Sequence, residues 1–345
     1  MPFRDVVGHQ RLVGLLARAI PRESLPPSLI LAGQAGVGKR LVATAIAQAL
    51  NCTDRQPFLK DDPDAGLDAC GKCAACQRIA RGAHPDVLIV EPGDSGSIKV
   101  DQVREVVDRA GYRPFEGRRR VVVIDDADAM VPSAQNALLK TLEEPPSASV
   151  FMLVTSRPDA LLPTVQSRCP RLRFWPLTAP DVAAVLMRRG AEKADANTSA
   201  AGANGSVAHA LAADAGELDA IRTLTTRALS EAAASPDVRR RLEAAKLLVG
   251  RSGGAWASER AQLSAELKVM ASLLRDVEAH ASQAALTNPN VAGNLRSLSA
   301  FRGERGVRAF DAVNEALLAL EGNPSARIVG NASPKLVADW LMLRL

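Results

Sequence analysis

Residues 29–39 read Leu-Ile-Leu-Ala-Gly-Gln-Ala-Gly-Val-Gly-Lys, and no other stretch constrains the fold as tightly. A short apolar run ends at Gly33, then come Gly36, Gly38 and Lys39. A helical pattern follows through Leu41, Val42, Ala45, Ile46 and Ala49. Strand, glycine loop and helix in that order form the context of a phosphate-binding loop. The glycines let the backbone curl round a phosphate, and the helix N-terminus points its free N–H groups at it. Lys39 would set its ammonium against the outer phosphates.

The next position departs from the pattern. Ser or Thr, whose hydroxyl binds Mg²⁺, normally follows the lysine. Arg40 stands there instead, and a guanidinium has donors only, so it cannot ligate a cation. Three outcomes stay open from the residues alone. Another group replaces the hydroxyl, the loop binds nucleotide without hydrolysing it, or the loop stays empty and is kept for its packing.

Two or three domains fit a chain of 345 residues. No apolar run approaches the length of a membrane span, and the N-terminus Met1-Pro2-Phe3-Arg4-Asp5 is not that of a signal peptide. A cytoplasmic protein that makes no membrane contact is expected. The net charge of +5 is a mild balance, not the footprint of a strong independent nucleic-acid binder, and it leaves open a helping role at a DNA complex. The densest basic run, Arg118-Arg119-Arg120, directly precedes an apolar strand and reads as a solvated turn.

In a cytosolic chain disulfides are disfavoured, yet four of the five cysteines fall between positions 52 and 76. Cys70, Cys73 and Cys76 share two-residue spacings that let a tight turn aim three thiolates at one point. Cys52, across a polar Pro- and Asp-rich loop, completes a tetrahedron suited to structural Zn²⁺. An iron–sulfur run would continue with a fourth Cys and a Pro, where Ile79-Ala80-Arg81 stands. Buried thiols without metal are the remaining alternative.

Further on, Asp86–Val90 reads as a buried strand and Val100–Ala110 as a helix. Val121-Val122-Val123-Ile124 then runs into Asp125-Asp126-Ala127-Asp128. A β-branched run ending in acids suits a central parallel strand with its carboxylates at the C-terminal edge, where open α/β sheets bind ligands. Asp125 takes the place of the carboxylate that holds Mg²⁺ in phosphate-loop enzymes. Asp126 stands where many such ATPases carry a catalytic Glu, one methylene longer. Another buried strand, Val150–Val154, leads through Thr155 to Ser167-Arg168-Cys169.

The phosphate loop, the four-cysteine insert after its helix, Leu138-Leu139-Lys140-Thr141-Leu142-Glu143-Glu144-Pro145-Pro146 and Ser167-Arg168-Cys169 occur in that order. Together they resemble the clamp-loader branch of the AAA+ family, and the insert narrows the resemblance to the bacterial DNA polymerase III clamp loader. The motifs cover residues 3–175; beyond them the match is in length and helical character.

The resemblance implies an α/β fold. An AAA+ phosphate-loop domain with a parallel sheet would span residues 1–175, with a zinc-binding insert at about 52–76. A small helical lid domain would cover 176–213, and an all-α collar domain, through which the family's subunits form a ring, would cover 214–345. It places the first sensor at Thr155, and it gives Arg168 the role of an arginine finger reaching a neighbouring ATPase site. The segment Gly205-Ser206-Val207-Ala208 resembles one in which the family carries a γ-phosphate-sensing Arg, and Ala208 replaces it.

Arg40, Asp126 and Ala208 together point to the kind of subunit that no longer turns over ATP. ATP binding stays possible. The implied partners are the gamma/tau and delta subunits, with the sliding clamp and primed DNA reached through the complex. Lys39 and Asp125 keep open a catalytically active, gamma/tau-type ATPase. A zinc-dependent DNA-binding module is a third reading.

The C-terminal region reads as helices over 217–233, 236–250, 256–285, 290–301, 304–320 and 333–344. Gly253-Gly254 and Asn288-Pro289-Asn290 punctuate them. Leu263, Leu267, Met270 and Leu274 lie on one helical face and read as core.

Overall fold

The computed structural model describes residues 1–59, 62–93, 96–212, 215–235, 237–249, 259–284, 286, 293, 295–320 and 333–345. The breaks expected at Gly253-Gly254 and Asn288-Pro289-Asn290 lie outside the described residues. The chain divides into two compact units, Met1–Asp181 and Val182–Leu345. No helix among the described residues is long and apolar enough to cross a membrane.

The first unit opens with α1 (Gln10–Ala19), β1 (Ser28–Gly33) and α2 (Lys39–Asn51). The cysteine region follows with β2 (Gln56–Leu59), β3 (Asp62–Asp68) and α3 (Ala74–Ala80). Then come β4 (Val87–Val90), α4 (Val100–Ala110), β5 (Arg120–Ile124) and α5 (Pro132–Glu143). β6 (Ser149–Thr155), α6 (Pro163–Gln166) and β7 (Arg171–Phe174) complete it.

Five strands form one parallel sheet in the order β4-β5-β6-β1-β7. Strand alternation sorts side chains to its two faces. Leu29, Leu31, Val121, Val123 and Met152 pack with Val42, Ala45 and Ile46 of α2. Ile30, Val122, Ile124, Phe151 and Leu153 pack with Val103 and Val106 of α4 and Leu138 and Leu142 of α5. With both faces covered, β1, β4, β5 and β6 read as largely apolar runs, as buried parallel strands do, whereas the edge strand β7 alternates exposed Arg171 and Arg173 with Leu172 and Phe174. The α/β fold with a parallel sheet is the one expected, and the loop after β1 and the acids after β5 share the C-terminal edge.

Two expectations for the first unit need correction. The stretch after Cys52, read as a loop, contains the antiparallel β2–β3 hairpin, whose register shifts between Pro57 and Leu59. Its Pro and Asp residues hide any alternation. Tertiary contacts hold it instead: Gly66, at φ +96°, lies so close to the Ala17 carbonyl that no Cβ fits.

Arg120 is not part of a solvated turn. It opens β5, buried, and its Nη2 donates to Asp86 Oδ1 at 2.9 Å. Asp86, with its side chain fully buried, also accepts the backbone N–H groups of Phe115, Glu116 and Gly117 at 2.7, 2.9 and 2.8 Å. Burial alone would raise the Asp86 pKa, but these hydrogen bonds and the guanidinium bring it down to about 2.

α7 (Ala179–Arg188) crosses into the second unit, which continues with α8 (Lys193–Gly202), α9 (Val207–Ala212), α10 (Ala215–Ala234) and α11 (Val238–Leu248). α12 (Glu259–Ala281), α13 (Glu304–Leu320) and α14 (Pro334–Arg344) complete it. Leu263, Leu267, Met270 and Leu274 are all in its core, as expected. Of the helix expected over 290–301, residues 290–292 and 294 lie outside the described residues, and Leu295–Phe301 forms a 3₁₀ segment.

Candidate functional site: the phosphate loop and the cysteine cluster

β1 delivers the chain to Gly33, and the loop turns through Gly36 at φ +78° and Gly38 at φ +97°, left-handed values that favour glycine. Gly38 caps α2, so Lys39 is its first residue. Lys39 is buried, and its Nζ donates to the carbonyls of Gly33 and Gln34, both at 2.8 Å. Burial lowers its pKa, against the opposing charges of Asp126, Asp125 and Asp128. His9 Nε2 lies 3.0 Å from the Val37 carbonyl oxygen, which pins the loop from outside.

Arg40 crosses the sheet edge. Its Nη1 donates to Asp125 Oδ2 at 3.0 Å and also pairs with Glu91, the residue after β4. The carboxylate that would hold Mg²⁺ is thus neutralised by a cation belonging to the chain. Asp126 has a left-handed backbone at φ 47°. Burial raises its pKa, and the charges of Asp125 and Asp128 raise it further.

Thr155, the expected sensor, turns its hydroxyl to Asp128, donating to Oδ1 at 2.7 Å, while Arg157 Nε donates to Asp128 Oδ2 at 2.9 Å. Burial works to raise the Asp128 pKa, but these bonds outweigh it and the pKa is lowered. Ala208 lies in α9 of the second unit.

Arg168 does not pair with Asp125 or Asp126. Its Nε donates to Glu143 Oε1 at 2.8 Å, its Nη2 donates to the same oxygen, and its Nη1 donates to the Thr164 carbonyl at 2.7 Å. Cys169 beside it is buried in the sheet core, away from the other cysteines, and burial pushes its thiol up to about 11.

The Sγ atoms of Cys52, Cys70, Cys73 and Cys76 all lie within 4.8 Å of one another. Those of Cys52 and Cys73 are 3.9 Å apart. Tetrahedral Zn²⁺ with Zn–S bonds of about 2.3 Å needs sulfurs about 3.8 Å apart, so the four residues fit that ion. Backbone N–H groups already point at the sulfurs: Cys70 N–H donates to Cys52 Sγ at 3.3 Å and Cys73 N–H to Cys70 Sγ at 3.2 Å. Such donors stabilise thiolate charge. At Cys73, burial opposes ionisation, yet hydrogen bonds from Thr53 and Cys76 bring the thiol down to about 6.

The insert is tied to the start of the chain. Asp68 accepts the backbone N–H groups of Phe3 at 2.8 Å and Arg4 at 3.1 Å, and Arg4 Nη2 donates to the carbonyls of Ala69 and Cys70. Gln48 of α2 donates to the Cys76 carbonyl at 2.7 Å.

Glu91, Asp128 and Glu143 were not singled out from the sequence. Glu91 carried a usable signal, as an acid directly after an apolar strand. The other two sit inside quoted motifs, and only their contacts give them roles.

Residues 8–178 match the model of the family described as DNA polymerase III, delta subunit. Over 141 residues the chain is 43% identical to the DNA polymerase III delta' subunit of Pseudomonas aeruginosa, covering 41% of this chain and 40% of that protein. It is 33% identical over 177 residues to the tau subunit of Bacillus subtilis, covering 51% of this chain and 30% of that protein. The match to the gamma/tau subunit of Mycobacterium bovis is also 33%, over 186 residues, 54% of this chain and 31% of that protein. The aligned region thus spans less than half the length of each of these relatives. The segment that carries the phosphate loop, the four cysteines and Arg168 thus matches the DNA polymerase III delta-subunit family model and is a homologue of delta', with the gamma/tau subunits as relatives.

Proposed function

We propose that the chain is a delta-prime-like subunit of the DNA polymerase III clamp loader. It does not hydrolyse ATP itself, and it lends Arg168 to the ATPase site of a neighbouring subunit. In the complex it would work in the cytoplasm with gamma/tau and delta, supporting ATP-dependent loading of the sliding clamp onto primed DNA. On this reading residues 176–213 supply a lid and residues 214–345 a ring-forming collar. Cys52, Cys70, Cys73 and Cys76 hold one structural Zn²⁺ that keeps the insert folded.

The observation that carries the reading is the position of Arg40. Phosphoryl transfer in phosphate-loop enzymes depends on a divalent ion bridging the phosphates. Here the residue that should help hold that ion is a cation, and it occupies Asp125 and Glu91. Asp126 and Ala208 are consistent with the same loss. Arg168 stands apart from its own loop's carboxylates, with a fixed charge and planar fork suited to a phosphoryl-transfer transition state.

ATP turnover tests both halves. The chain alone should show none. A complex reconstituted with gamma/tau and delta should lose ATPase and clamp-loading rate with Arg168→Ala while still assembling. Hydrolysis by the lone chain that Lys39→Ala abolishes would instead make it a gamma/tau-type ATPase. A wild-type rate with Arg168→Ala would remove the trans role.

A further inference from the structure

Arg168 reaches the surface already held on one side. Its Nε and Nη2 both donate to one oxygen, Oε1 of Glu143, and Nη1 donates back to the Thr164 carbonyl in α6, one turn earlier. Its side chain keeps 31% of its exposure and that of Glu143 keeps 49%. The Nε–Nη2 edge of the guanidinium is therefore occupied, and an Nη2 hydrogen on the opposite side is left over for a further acceptor. Glu143 ends α5, where Pro145-Pro146 stops the helix. A carboxylate at a helix C-terminus faces the negative end of the dipole, an unfavourable place unless a cation compensates. The helix end and the arginine thus hold each other.

We propose that Glu143 is a positioning residue for Arg168. It grips the Nε–Nη2 edge so that the outer end of the fork is aimed at an acceptor beyond the chain, the phosphates of a nucleotide on the neighbouring subunit. This inference rests on the trans role given to Arg168 above. A long arginine without that grip samples many rotamers, and an oriented one meets its acceptor with less entropy to lose. Both hydrogen bonds land on a single oxygen, so the amide oxygen of Gln can accept them too. Positioning should survive the loss of the charge.

The test is steady-state ATPase of the complex reconstituted with gamma/tau and delta. Glu143→Ala should lower kcat by up to about fivefold, the scale of an exposed ion pair, with KM for ATP unchanged. Glu143→Gln should keep most of the wild-type kcat. In the Arg168→Ala background, Glu143→Ala should cost nothing further. Thermal melting of each variant chain separates a folding defect from a positioning one.

An equal loss from Glu143→Ala with or without Arg168 would overturn the proposal and make Glu143 merely structural. So would a wild-type kcat for Glu143→Ala in a complex that Arg168→Ala slows, and that result would leave the trans role standing. A complex that Arg168→Ala does not slow would fail the parent reading, and the positioning role with it.

Discussion

Asp86→Asn is the sharpest perturbation of the first unit. Both carboxylate oxygens of Asp86 are in use: Oδ1 accepts from Phe115 N–H and Arg120, Oδ2 from the N–H groups of Glu116 and Gly117. Asn offers one acceptor oxygen and turns an NH₂ toward two backbone donors, while leaving the buried Arg120 without its counter-charge. Breaking a buried ion pair from one side costs about 3–5 kcal/mol, and the unmet amides act in the same direction.

The pH dependence is a second, independent signature. The folded pKa of Asp86 is depressed from 3.8 to about 2. Its contribution is therefore complete above the unfolded value and is lost as pH falls toward and through the folded one. The shift corresponds to roughly 2.5 kcal/mol, released between about pH 4 and pH 2. Urea unfolding of the full chain, followed by hydrogen exchange in peptides covering 120–124, reads the opening of β5 itself. The wild type should lose stability across that pH window, and Asp86→Asn should start lower and show a flatter profile. A variant as stable as the wild type at pH 7, or one with the same slope below pH 4, would refute the account of Asp86 as an ionised hub.

Metal analysis should find about one zinc per chain, bound as in the four-thiolate structural class. Cys169→Ser should leave that content unchanged, whereas Cys73→Ser should reduce it. Arg40→Thr alone should not create ATP turnover, since Asp126 and Ala208 remain. It should, however, make nucleotide binding depend on Mg²⁺, read by titration calorimetry with and without the ion. A variant that binds no better with Mg²⁺ would show that Arg40 is not what keeps the ion away from Asp125.

Four of the five strands were legible because they are buried and carry apolar, largely β-branched runs, whereas the edge strand β7, with Arg171 and Arg173 exposed, offers no such run; α4 was legible because its valines repeat with helical spacing. The cysteine cluster was legible for a different reason: spacing alone restricts how three thiols of a tight turn can point. What stayed hidden depended on partners distant in sequence. Arg120 looked like its neighbours Arg118 and Arg119, and only Asp86, 34 positions earlier, makes it a core residue. The β2–β3 hairpin has no alternation to read, since Gly66 against Ala17 and Asp68 against Phe3 supply what side-chain pattern does not. Arg168 was recognisable by its motif, but that its companion is Glu143 follows only from the meeting of α5 with α6.

α2 begins at Lys39 and ends at Asn51, one residue before Cys52. It is a rod of about 20 Å with the glycine loop at one end and the cysteine cluster at the other. Gln48 near its far end is bonded to the Cys76 carbonyl and also accepts a hydrogen bond from the Met1 amino group. Closing the cysteine cluster therefore does more than fold an insert. It links the insert to the first residues and to the far end of α2. The first residues, the insert and α2 form one cooperative block, so chelation should raise hydrogen exchange at Phe3 and Arg4 together with Cys70 and Cys73, although the chain between them runs through the whole of β1.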